Sequence, residues 1–177
     1  MVENIDLKKT KIRKLSWRDF RRVKEFQGFV NSLVDEDAMI RLNKKQTLEE
    51  ERNWLENSLQ NIKEKKEVFL VVKDGNKIIG TSEIKLGRGR QSHVGELAIS
   101  IRKEYRNQGL GTKLMAEILK VAERELKPKI IRLSVFPENK IAQNLYKKFG
   151  FKEVGKIPKQ LERKGKLTDE IIMIKEL

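Results

Sequence analysis

Cysteine is absent from the 177 residues. That excludes disulfides, thiolate metal centres and a cysteine nucleophile. Histidine occurs once, at His93, which excludes a multi-histidine metal site, so no metal is expected. Proline occurs three times, at Pro128, Pro137 and Pro158, all in the second half. No stretch approaches the ~20 apolar residues that a membrane helix needs. The opening residues Met1-Val2-Glu3-Asn4-Ile5-Asp6 lack the basic-then-apolar order of a secretory signal. Internal repeats, Ser/Gly linkers and low-complexity tracts are missing as well. These absences lead to the expectation of one cytoplasmic domain over 1–177, with no membrane partner.

What the chain has in excess is positive charge. The formal net charge is +14 and the pI is near 9.9. Charged residues make up 37% and apolar residues 38%, but the charges are interleaved with recurring apolar runs, which argues against disorder. The Lys-, Glu- and Ile-rich, Cys-free composition would suit a thermophile. A surface of this sign attracts polyanions: a phosphorylated cofactor, an acidic protein or nucleic acid. Nucleic acid would use Arg88, Arg90 and the lysine-rich stretch 156–166. Neither segment has interleaved aromatics, so a nucleic-acid or acidic partner is allowed by charge but not expected.

Residues 10–15 alternate polar and apolar like a half-buried strand. Ser16 with Asp19 reads as a capping box before a helix that buries Phe20, Val23 and Phe26 and is ended or bent by Gly28. Residues 30–46 have no clear period. Thr47 with Glu50 is a second capping box, and Leu48, Leu55, Leu59 and Ile62 follow at helical spacing. Val68–Val72 and Lys77–Leu86 form a hairpin about Asp74-Gly75-Asn76. Gly87–Ser92 is a basic connection, and Val94–Ile101 is the next strand. A helix with Leu110, Leu114, Ile118, Val121 and Ala122 on one face then runs to Lys127. Ile130–Val135 is a strand, Asn139–Phe149 a helix closed by Gly150. Phe151–Ile157 and Thr168–Lys175 are two last strands joined by a polar loop. The strand–helix–strand order about 109–127 argues for a largely parallel pairing across that helix. The fold class is mixed α/β (α+β), with about seven strands and helices on both faces.

The junction Arg106-Asn107-Gln108-Gly109-Leu110-Gly111-Thr112 lies between a strand and an amphipathic helix. Its glycines let backbone amides approach a ligand. The first amides of the helix have no intrahelical partner and carry the positive end of the dipole, which makes an anion site from backbone alone. Arg102, Lys103, Arg106 and Lys113 add positive charge nearby. The Gly-Lys-Ser/Thr of a Walker loop is missing, and Leu114 stands where a dinucleotide fingerprint needs its third glycine.

Arg106, Gly109 and Gly111 resemble the acyl-CoA loop of the GNAT acetyltransferases, Arg/Gln-x-x-Gly-x-Gly/Ala. One helix and one strand later, Asn139-Lys140-Ile141-Ala142-Gln143-Asn144-Leu145-Tyr146-Lys147-Lys148-Phe149-Gly150-Phe151 resembles that family's later signature, Asn-x-x-Ala-x-x-Leu-Tyr-x-x-x-Gly-Phe. The resemblance covers residues 68–157 well and the first 66 only as a two-helix pattern. It implies a mostly antiparallel sheet whose one parallel pair is splayed around acyl-CoA. About 68–157 would be the cofactor-binding core, with 16–66 and 156–177 as acceptor-side elements.

The same resemblance assigns cofactor contacts. The backbone of Ile99-Ser100-Ile101 and Leu133-Ser134-Val135 would pair with pantetheine in the gap. Arg106, Asn107, Gln108, Gly109, Leu110, Gly111 and Thr112 would hold the pyrophosphate. Asn139 would cap its helix and face the cofactor arm, and Tyr146 would meet the departing thiolate. Amines have pKa values near 10 and need deprotonation, so a carboxylate base is required. Glu96 shares a strand face with Ala98 and Ser100, opposite Leu97, Ile99 and Ile101, and is the first choice. Glu83 on the neighbouring strand is the second, and His93 ranks below both. Without cysteine, transfer from acetyl-CoA to a primary amine is direct, in a ternary complex. The acceptor stays open among small amines, polyamines, protein N-termini and lysine side chains, and the sequence also allows a homodimer. Asp35-Glu36-Asp37 could hold a cationic acceptor or be a solvated helix end. A silent acyl-CoA sensor and a basic nucleic-acid-associated protein are the alternatives.

Overall fold

Val68–Val72 is apolar along its whole length, and its residues alternate between two buried layers. Val68, Leu70 and Val72 enter one core, and Phe69 and Val71 enter another. A sheet covered on both faces therefore follows from this strand alone. The computed structural model describes residues 10–177. The reading of Met1–Asp6 lies outside the described residues.

The described residues form seven strands and four α-helices, in the order β1 (Lys11–Lys14), α1 (Val23–Asp35), α2 (Leu48–Lys63), β2 (Glu67–Asp74), β3 (Lys77–Leu86), β4 (Val94–Ile101), α3 (Leu110–Glu125), β5 (Ile130–Val135), α4 (Lys140–Lys148), β6 (Lys152–Arg163) and β7 (Lys166–Glu176). The sheet order is β1-β2-β3-β4-β5-β7-β6. Among the described residues only β4 and β5 pair in parallel, across α3, as the strand–helix–strand order argues. Helices α1 and α2 cover one face through Phe26, Phe29, Leu33, Leu55 and Leu59. On the other face α3 buries Leu110, Leu114, Met115 and Ile118, and Tyr146 of α4 joins the same core.

Three local expectations are revised. Gly28 neither ends nor bends its helix, because α1 runs through it to Asp35. A mid-helix glycine costs ~1 kcal/mol relative to alanine. Phe26, Phe29 and Leu33 are buried around it, and each such side chain contributes roughly 1.5–3 kcal/mol, so packing wins. The chain from Trp17 to Arg22 is a 3-10 turn before α1 begins. Asp19 accepts the Ser16 N–H at 3.0 Å, but it also takes both arms of Arg13, at 2.7 and 2.5 Å. The capping box of Ser16 and Asp19 is thus formed, and Asp19 also joins β1 to this turn. The last two strands run on into one long hairpin rather than stopping at a polar loop. Lys164 and Gly165, at φ +51° and +70°, supply the positive pair that a two-residue turn needs. Pro158 donates no N–H to the ladder, and the register shifts between Ile157 and Leu161.

Candidate active site: a cleft through the sheet

The parallel pairing of β4 with β5 covers Val94↔Ile130, Gly95↔Ile131 and Glu96↔Arg132, and then stops. Beyond it β4 stays paired with β3 out to Ile101↔Gly80, and β5 with β7 out to Val135↔Ile171. The two strands diverge, and their facing edges leave each other's ladder. Ile99-Ser100-Ile101 and Leu133-Ser134-Val135 border this gap. Backbone groups at such an edge need a partner, and an extended ligand can supply one.

The turn after β4 points its backbone at the same end of the sheet. Gly109 sits at φ +82° as the N-cap of α3, and Asn107 at +61°. The left-handed region is cheap for glycine and costs other residues roughly 1–2 kcal/mol. No side chain caps α3, so its first amides remain available to an anion. Gly111 serves a different end. A Cβ there would lie 3.4 Å from both Ile101 Cδ1 and Leu145 Cδ2, so its glycine lets α3 pack closely on β4 and α4. The arginines also face inward. Arg106 Nε donates to the Ile101 carbonyl at 2.8 Å, and its guanidinium pairs with Glu36. Arg102 donates to the Ile78 carbonyl at 2.7 Å and to that of Gly28 at 3.2 Å. Both tie the turn to the sheet and to α1. Gln108 Nε2 donates to the Glu104 carbonyl at 3.0 Å, Thr112 is half-buried, and Leu110 anchors α3 in the core. Asn139 caps α4 by accepting the Ala142 N–H at 3.2 Å.

A cleft of about 670 Å³ is lined by Ser100 and Ser134 at the gap, by Phe26, Trp54 and Phe69 on the α1/α2 side, and by Tyr146. Tyr146 belongs to the core on the opposite face, packed 6.0 Å from Phe151. One cleft can touch both sets only by passing between the splayed strands.

Three carboxylates face this cleft: Glu51, Glu83 and Glu96. Glu96 stands at the mouth, its side chain 45% exposed, and pairs with Arg132 at 3.1 Å and Arg41 at 3.5 Å. Arg41 reaches on to Ser134 Oγ and Glu170, each at 3.0 Å, and so spans the gap. Glu83 sits one strand inward, in register with Ala98 on β4 and Phe69 on β2. Burial first, then the charges of Glu67 and Glu96, outweigh the attraction of Lys85 and push its carboxyl up to about 7. Glu51 on α2 is 5% exposed, and burial pushes it to about 7 as well. The phenol of Tyr146, 7% exposed, is pushed up to about 12 by burial.

Glu96, Ser100, Ser134 and Tyr146, read from the sequence, thus meet in one cleft. Arg41 was missed because residues 36–46 carry no period. Glu51 was missed although it lies on the stripe of Leu48, Leu55 and Leu59, where a charge at a core position is itself a signal. His93 is exposed before β4, away from the cleft lining. The acidic cluster is engaged within the chain: Asp35 pairs with Lys45 at 2.8 Å, Glu36 with Arg106 and Asp37 with Arg163 at 3.0 Å. That leaves little for a cationic acceptor.

The sequence matches the profile of the acetyltransferase (GNAT) family over residues 13–151. The L-amino acid N-acetyltransferase AaaT of Escherichia coli K12 is 34% identical over 86 residues, 49% of this chain and 53% of that protein. The match thus spans about half the length of that relative. An acetyltransferase of the GNAT family from Streptococcus pneumoniae superposes with a TM-score of 0.83 at 26% identity, covering 95% of this chain and 99% of that one. The YncA protein of Salmonella typhimurium, solved with its cofactor acetyl-CoA, has the same fold, with a TM-score of 0.81 at 18% identity over 96% of this chain and 94% of that one.

Proposed function

The chain belongs to the acetyltransferase (GNAT) family, and from that premise we propose that it transfers an acetyl group from acetyl-CoA directly to a primary amine within the cleft through the sheet. The observation that carries this reading is the cleft that joins the open edges of β4 and β5 to three carboxylates on one side and a phenol on the other. The residues fit acyl-CoA as a substrate. The uncapped start of α3, with Gly109 in the left-handed region, suits the pyrophosphate. The edges at Ile99–Ile101 and Leu133–Val135 suit an amide-bearing arm that adds as a strand. Backbone groups of Asn107, Gln108, Leu110, Gly111 and Thr112 complete that cradle, with Asn139 at the start of the next helix.

In the reaction the amine nitrogen bonds to the thioester carbon, the carbon–sulfur bond breaks, and the ammonium proton leaves to a carboxylate. Sequence alternation favours Glu96 for that proton. Glu96 has its oxygens engaged by Arg132 and Arg41. Glu83 has no hydrogen bond or ion pair with the described residues and ionises near pH 7, where a base is most effective. We therefore assign proton removal to Glu83, and assign to Glu96 the positioning of Arg41 and Arg132 at the mouth. Tyr146 holds its proton to about 12, whereas a thiol ionises near 8.5. A phenol that weak as an acid serves the leaving thiolate by hydrogen bonding rather than by full proton transfer. The remaining acceleration comes from holding amine and thioester together.

The test is thiol release from acetyl-CoA with a panel of aliphatic amines, amino acids, N-terminal peptides and lysine peptides. Turnover with at least one amine is expected. No turnover with any amine would overturn the reading, and no rise in melting temperature with millimolar acetyl-CoA would overturn cofactor binding as well.

A further inference from the structure

Glu51 lies on the buried side of α2, deep in the cleft, and is 5% exposed. Its carboxylate accepts no hydrogen bond and meets no cation among the described residues. Burial alone sets its behaviour. Most buried carboxylates are paired, because an isolated one costs several kcal/mol. Asp19 follows that rule with Arg13, while Glu83, at the reacting centre, does not. Glu51 departs from it where the cleft gives a ligand access.

Aromatic rings surround the same end. Trp54 follows Glu51 by three residues, on the same side of α2. Its ring lies 6.4 Å from Phe26 and 5.4 Å from Phe69, edge-on to the latter. Phe69 is in register with Glu83, and Glu83 with Ala98 beside the gap. A row thus leads from the reacting centre across two strand spacings, roughly 10 Å, to Trp54 and Glu51. A neutral apolar group placed here would leave Glu51 unpaired and drier still. A cation would pair with it and meet ring faces that attract positive charge.

From this arrangement, and resting on the acetyltransferase reading above, we propose that the deep end of the cleft is a second acceptor subsite. It holds the distal ammonium of a diamine, with Glu51 as counter-ion and Phe26, Trp54 and Phe69 as walls. The acceptor is then an aliphatic chain with two amino groups. One reacts at the gap beside Glu83 while the other anchors at Glu51. Selection is for charge at the far end and for the length of the spacer.

The experiment compares α,ω-diamines of increasing length with monoamines and amino alcohols of the same length. It measures kcat/KM by thiol release and binding to the CoA-saturated protein by calorimetry. Wild type is expected to prefer the best diamine over its monoamine and amino alcohol by at least about tenfold, with an optimum spacer length. In Glu51→Gln, that ratio should fall to within about threefold. Melting and its shift by acetyl-CoA show that this variant is folded. Equal use of diamine and monoamine by wild type would overturn the proposal. So would an amino alcohol as good as the diamine, which indicates a neutral hydrogen-bonding site, or a ratio preserved in Glu51→Gln. If Glu51→Gln does not fold, the wild-type binding ratios decide alone. If wild type releases thiol with monoamines and diamines alike, the subsite fails and the acetyltransferase reading stands. If no amine is turned over yet diamines bind selectively, the reading fails and the subsite stands.

Discussion

At the residue scale, function turns on carboxylates that differ in what holds them. Glu83 has no hydrogen bond or ion pair with the described residues and ionises near 7. Glu83→Gln should lower kcat by roughly 10²–10⁴, the usual contribution of a general base, and remove the limb of the kcat/KM profile near pH 7. Glu96→Gln should cost less, under about tenfold, because it loosens Arg41 and Arg132 without removing the base. Equal losses in both, measured side by side, would return the proton to Glu96. Tyr146→Phe removes one hydrogen bond to a developing charge, worth about 1.5–3 kcal/mol, so kcat should drop about 10- to 100-fold with acetyl-CoA affinity kept.

Glu51 adds a prediction about stability. Its carboxyl is raised in the folded protein, so the folded state binds the proton more tightly than the unfolded chain, where a glutamate titrates near 4.3. The benefit is full below that value and lost as pH climbs to about 7. Thermal denaturation of wild type between pH 5 and 8 should show this loss, on the order of 3 kcal/mol at most from Glu51, and Glu51→Gln should remove that share while the share of Glu83, also raised to about 7, stays. A pH slope unchanged by the substitution would assign the buried charge elsewhere. At this scale the sequence was legible where periodicity speaks. Alternation on β4 put Glu96 on one face with Ala98 and Ser100, and all three line the cleft with Tyr146. It was silent on Arg41, whose role depends on a loop crossing to Ser134 and Glu170. No local pattern encodes a contact over 93 residues.

At the element scale, two glycines two residues apart do unlike things. Gly109 occupies the left-handed region at the start of α3, whereas Gly111 gives space to Ile101 and Leu145. Gly109→Arg should abolish the melting shift with acetyl-CoA and leave the apo protein folded. Gly111→Ala asks its neighbours to give by only a few tenths of an ångström and should keep cofactor binding, with a cost under about 1 kcal/mol. Gly111→Val should destabilise the apo protein itself, read as a lower denaturation midpoint. The strand–helix–strand order about α3 is enough to point to the parallel pair. Where that pair separates was not in the pattern, because β4 and β5 each keep an antiparallel partner and stay apolar through the split. The final hairpin was shortened in the reading because its exposed strand β6, rich in lysine and carrying Pro158, has the composition of a loop.

At the scale of the whole molecule, the charge of +14 and the phosphates of coenzyme A have opposite signs. The Debye length falls from about 30 Å at 0.01 M to about 3 Å at 1 M. Raising salt should therefore increase KM for acetyl-CoA several-fold. KM for a cationic amine should not rise with it, since the protein's overall field repels that partner. The central claim is that acyl-CoA enters the gap between β4 and β5, with its phosphates at the start of α3. Amide hydrogen exchange with and without acetyl-CoA tests this most directly. Protection is expected at 97–101, 133–135 and 108–113, with little change in β1 or β6. Unchanged exchange at all three segments under saturating acetyl-CoA would contradict it.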